Sequence, residues 1–86
     1  MQTVERLDQL VRLARRLGYT VRQEWLGGNG GGVCELRGKK HLFLDLANSA
    51  SEQLDTVVEV LAADERLATL TLSDDLRGLF ERPKAA

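Results

Sequence analysis

His41 is the single histidine of an 86-residue chain, and three carboxylates, Glu24, Glu35 and Asp45, fall within strand-like stretches around it. An imidazole beside a carboxylate is the least that general acid–base chemistry or a zinc site requires. Arg22 and Arg37 are expected on the same sheet face, where they would pair with those acids. Opposite charges on neighbouring strands are the ordinary make-up of a solvated sheet surface. The pattern therefore reads first as a charged surface. Neither a catalytic set nor a metal or cofactor site is expected, and the chain is read as non-enzymatic. Cys34 is the only cysteine, which excludes an internal disulfide and a multi-cysteine metal site. It is expected to fill core space as a small buried hydrophobe.

Two further groups could bind something. Residues 27–32 hold five glycines in six positions, interrupted only by Asn29. Phosphate-cradling glycine loops join a strand to a helix whose N-terminus adds its dipole. Here a strand follows, so the loop is expected to be a mobile hairpin tip, with a backbone anion nest as the alternative. The basic grouping comprises Arg12, Arg15 and Arg16 on one helix face, with Lys39 and Lys40 in a turn. Residues 1–43 carry eight Lys/Arg against four Asp/Glu, whereas residues 44–86 carry four against nine. Such asymmetry suits an anion-binding N-terminal half or two halves that face each other. Net charge is only −1, so strong nonspecific binding to nucleic acid is not expected.

The elements that must position these groups follow from periodicity. Val4, Leu7, Leu10, Val11, Ala14 and Leu17 keep the three-four spacing of one buried helical stripe over about 4–17. Thr3 is placed as its cap and Gly18 as its left-handed stop. Strands are expected over 19–26, 33–37 and 41–46. Ser49 and Glu52 have the spacing of a capping box opening a helix over about 50–65, with Leu54, Val57, Val58 and Leu61 as its stripe. Leu70 and Leu72 alternate with Thr69 and Thr71 as in a short fourth strand or extended segment. Ser73 then caps a last short helix that ends before Pro83. The fold class is α+β: a two-layer domain of helix, three-stranded antiparallel meander and helix. One domain over 1–82 with a loose tail at 83–86 is expected. Hydrophobic residues at 43% and charged residues at 29% describe a soluble globule, and the apolar runs are too short to span a membrane. The N-terminus lacks a secretory h-region, and with a lone cysteine this favours a cytosolic setting.

Register decides what the sheet shows to solvent. An odd-length turn around Gly38 would put Cys34 and Leu36 on the core face with Leu42, Leu44 and Leu46. The open face would then carry Arg22, Val33, Glu35, Arg37, His41, Phe43 and Asp45. Phe43 among aliphatic and charged neighbours has the make-up of an interface core with its rim, unless Leu76, Leu79 and Phe80 cover it within the chain. Trp25 is placed as packing beside the glycine loop.

Over residues 4–65 the element order is similar to that of the double-stranded RNA-binding domain. That resemblance implies a basic cluster at the start of the second helix, where it crosses phosphates. This chain has Ser49, Ser51, Glu52 and Asp55 there, so the family's function is not carried over. The expected function is a cytosolic protein-interaction or self-association module using the open sheet face and glycine loop. The alternative is an anion or nucleic-acid binder through Arg12, Arg15, Arg16, Lys39 and Lys40.

Overall fold

A computed structural model describes residues 2–28 and 31–81. Helix α1 spans Thr3–Arg16 and buries Leu7, Leu10, Val11, Leu13 and Ala14, continued by Leu17 beyond its end. Val4, expected on that stripe, is 65% exposed, and Leu13 takes its share of the core instead. Thr3 lies inside the helix rather than at its cap, which is Gln2 with no side-chain hydrogen bond. The other end closes as expected. Gly18 turns left-handed at φ +96°, and the Gly18 and Tyr19 amides donate to the carbonyls of Arg15 and Ala14. These are the paired bonds of a Schellman stop, and they deliver Tyr19 into the core at the start of the sheet.

Three strands follow: β1 (Thr20–Glu24), β2 (Gly32–Leu36) and β3 (Lys39–Asp45). They do not form the expected meander. The order is β1-β3-β2, with β1 parallel and β2 antiparallel to the central β3. Burial explains the choice. Leu42 and Leu44 of β3 are fully buried under the helices, so the strand that carries them takes the centre. The glycine segment consequently is not a hairpin tip. It joins two strands that lie on opposite sides of β3, and the expectation of a mobile tip falls on residues 29 and 30, outside those described.

A second correction concerns register. Leu36 pairs with Lys39 across a two-residue turn, Arg37-Gly38, in which both residues have positive φ (52° and 79°). This is the backbone habit of a primed hairpin turn, whose twist matches that of the strands it joins. With an even turn, Val33 and Glu35 share the helix-covered face with Leu42 and Lys40. Cys34 and Leu36 share the opposite face with His41 and Lys39. Cys34 is thus exposed rather than buried.

Helix α2 spans Ala50–Ala62 behind the expected capping box: the Glu52 amide donates to Ser49 Oγ at 3.1 Å and the Ser49 amide to Glu52 Oε1 at 3.0 Å. It packs on α1, β3 and β2, burying Leu54, Val57 and Leu61. Asp64 then caps a short 3₁₀ helix, Glu65–Thr69. No fourth strand forms among the described residues. Leu67, Leu70 and Leu72 pack against the helical core from a 3₁₀ turn and an extended stretch, and the turn's own hydrogen bonds replace a ladder. Helix α3 (Asp74–Glu81) starts at Ser73, whose Oγ accepts from the Leu76 amide at 3.3 Å, and docks Leu79 against α2. The tail expected at 83–86 lies outside the described residues. No helix among the described residues is long and apolar enough to cross a membrane.

Candidate functional site

With α1, α2 and α3 all on the side of Leu42 and Leu44, no described helix or strand lies over the rows of His41 and Phe43 on the other face, while the segment after β1 closes over its Asp45 end. The strand registers lay out its residues in rows: Thr20, His41 and Cys34; then Arg22, Phe43 and Gly32; with Lys39 beside Leu36 at one end. Phe43 occupies the middle row. The His41 and Phe43 rings stack at 6.3 Å with an interplanar angle of 21°. Arg22 Nη2 reaches Glu24 Oε1 at 2.9 Å along β1. Leu36 is 52% exposed, and Trp25, placed in packing from the sequence, is 75% exposed where β1 ends.

Of the seven residues expected on this face, Arg22, His41 and Phe43 occupy it. Val33 and Glu35 do not: they face the helices at the sheet edge, and Cys34 and Leu36 stand in their place. Arg37 is in the turn. Asp45 is 1% exposed beneath the crossover, and its Oδ1 accepts from the amides of Leu26 at 3.0 Å and Ala47 at 2.9 Å. The acid–histidine group considered from the sequence therefore does not assemble. Glu35 is on the wrong face, Glu24 engages Arg22, and Asp45 tethers backbone. Among the described residues no cluster of three or more His, Cys, Asp or Glu side chains is placed to hold a metal ion. The sequence carried only half of the signal for the corrected register: Gly38 suits one positive-φ position of a primed turn, but Arg37 at the other is not the Asn, Asp or Gly that such turns favour.

The five basic residues do not come together: Arg15 lines neither of the two grooves that receive Arg12, Arg16 and Lys40, and Lys39 stands beside Leu36 on the open sheet face. Arg12 and Arg16 line one groove, against Thr71 and Ser73. Lys40 lines another, with Tyr19, Glu35 and Asp64. No protein-family model, curated protein or solved structure matches this chain.

The second groove holds a polar network that the sequence did not announce. The Tyr19 hydroxyl donates to Asp64 Oδ2 at 2.7 Å. Arg66 meets the same carboxylate with two nitrogens, Nη2 to Oδ2 at 2.7 Å and Nε to Oδ1 at 3.0 Å. Lys40 Nζ and Arg66 Cζ each lie 5.7 Å from the Tyr19 ring centroid, close enough for cation–π attraction. Hydrogen bonds from Arg66 first, and from Tyr19 second, hold the Asp64 carboxyl well below the usual carboxylate range. Burial first, and then the bond to Asp64, push the Tyr19 hydroxyl up. The geometry joins α1's exit, β3 and the 3₁₀ turn, which makes it a structural clasp.

A pH dependence follows from the lowered carboxyl. Ionised Asp64 stabilises the fold at any pH above the unfolded carboxyl's ordinary value of about 3.9, and that stabilisation fades as pH falls below it. Asp64→Ala is expected to cost roughly 1–2 kcal/mol at neutral pH, discounted because Arg66 is half exposed. In urea unfolding the difference from wild type should shrink between about pH 4 and pH 2. A difference that persisted unchanged to the acid end would refute the assignment.

Proposed function

We propose that this chain is a non-catalytic interaction module that pairs with a second copy of itself through the open sheet face. The observation that carries the reading is the uncovered face itself: a central stacked pair, His41 and Phe43, with exposed Cys34 and Leu36 beside it. Apolar surface gathered inside a polar margin is the make-up of an association surface. The internal cover considered for Phe43 is not supplied by α3, which docks on α2 in the helical layer.

Charge favours a second copy as the occupant. Arg22 and Glu24 lie side by side in one 2.9 Å pair at the margin. Because one patch carries both charges, a second copy can offer its glutamate to this arginine and its arginine to this glutamate where the two-fold axis passes between the pair. The near-neutral chain adds little repulsion between copies.

Sedimentation equilibrium of the wild type and of Phe43→Arg provides the test. The wild type should approach twice its 9.6 kDa mass at micromolar concentration, and should hold that mass in added salt. Phe43→Arg should sediment as a single chain with an unchanged melting midpoint, because Phe43 lies outside the buried core. A wild type that remains monomeric, or a variant that still associates, rejects the proposal.

A further inference from the structure

Between α1 and the stretch leading into α3 runs a groove of about 210 Å³. Buried Leu13 and half-buried Leu72 and Leu76 make its apolar lining, and the exposed residues Arg12, Arg16, Thr71 and Ser73 make its polar rim. We infer that this groove binds a phosphate monoester carrying a small apolar group. It lies in the helical layer, away from the open sheet face, and does not depend on the self-association proposed there.

Four features support the assignment. Arg12 and Arg16 are one helical turn apart, so their side chains rise from the same face of α1. The Arg16 side chain makes no hydrogen bond or ion pair with any described residue, and its fork is available to an oxyanion. Arg12 is held by Asp8 at 2.9 Å, but both side chains are more than half exposed (73% and 58%), a pairing weak enough for a ligand anion to displace. Ser73 Oγ accepts from the Leu76 amide at 3.3 Å, which leaves its own hydrogen free to donate.

The nearby acids do not close the site. The Asp74 side chain is 99% exposed and turns to Arg77 at 3.5 Å. Two guanidinium charges match a phosphate dianion better than a carboxylate, and three terminal oxygens can use the four rim donors. Leu72 and Leu76, both half-buried, give an attached ring or short chain a surface to cover.

The probe is phenyl phosphate, followed by amide NMR on the full chain, with inorganic phosphate and benzoate as comparison arms. Phenyl phosphate should produce saturable shifts at Arg16, Thr71, Ser73 and Leu76, and should bind at least five-fold more tightly than either comparison anion. Arg16→Gln should weaken it by about ten-fold, the loss expected for a charge-assisted contact. The exposed Thr71→Val provides a second variant that leaves the fold intact, and should weaken it several-fold. Inorganic phosphate binding as well as phenyl phosphate would overturn the apolar half of the inference. Benzoate binding equally would overturn the phosphate half. Shifts absent, or unchanged in Arg16→Gln, would overturn the site altogether.

Discussion

Gly31→Ala lowers the stability of this chain by about 3 kcal/mol or more, which for a domain of this size is a fall in Tm of at least roughly 12 °C. The reason is a backbone crossing. A Cβ built on Gly31 would stand 1.8 Å from the carbonyl oxygen of Phe43, 2.8 Å from its carbon and 3.2 Å from the Leu44 Cα. All three atoms are backbone of the central strand, so no side chain can swing aside to make room. Either the crossover lifts or β3 bends, and Leu44 is fully buried in the core on that same stretch. The neighbouring residue is the control. Gly32 has nothing within 4 Å of its hypothetical Cβ and no unusual φ. Gly32→Ala should be neutral or stabilising by up to about 0.5–1 kcal/mol, because alanine restricts the unfolded chain. Paired thermal melts of the two variants decide the matter. Equal midpoints would show that the crossover does not press on β3.

Asp45→Ala removes about 3 kcal/mol by a different route. The carboxylate is 1% exposed and gathers the amides of Leu26 and Ala47 at 3.0 and 2.9 Å. One of these begins the crossover and the other begins the turn toward α2, so a single side chain ties together the segments that leave both parallel strands. Hydrogen bonds to an ionised acceptor are worth roughly twice neutral ones, and deleting the acceptor leaves donors without a partner at about 1–3 kcal/mol each. Asp45→Asn keeps one carbonyl oxygen and should lose less than half as much. Urea unfolding gives the magnitudes, and amide hydrogen exchange gives the location. Protection at Leu26 and Ala47 should fall in Asp45→Ala while protection at Leu10 stays level with the global stability. A uniform loss across the chain would argue that Asp45 is not the tether.

Much of this architecture was legible along the chain because its signals are local. The α1 stripe through Leu7, Leu10, Val11 and Ala14, the Gly18 stop and the Ser49–Glu52 capping box each require only residues a few positions apart. A short-range hydrogen bond or a helical period is written into neighbouring residues and can be read there. Two helices over a three-stranded sheet, with a short C-terminal helix behind Ser73, followed from those signals. The candidate face was only half legible. Arg22, His41 and Phe43 were placed on it, whereas Val33 and Glu35 exchanged places with Cys34 and Leu36 because one residue of turn length inverts a strand.

The parallel pairing of β1 with β3 could not be read in this way. It depends on which strand's leucines the two helices bury, a comparison among residues far apart in sequence. The same holds for Asp45, an ordinary strand-end acid in the sequence that becomes a buried tether only once the crossover lies over it. The Tyr19–Asp64 hydrogen bond spans 45 positions and belongs to the same class. The amino-acid sequence by itself determined the three helices, the Gly18 stop, the Ser49 and Ser73 caps and the two-layer class, because local periodicity and side-chain-to-backbone hydrogen bonds require no distant partner. Strand order, the face shown to solvent and the groove between α1 and α3 were decided by the tertiary structure, where burial is shared among elements that meet only after folding.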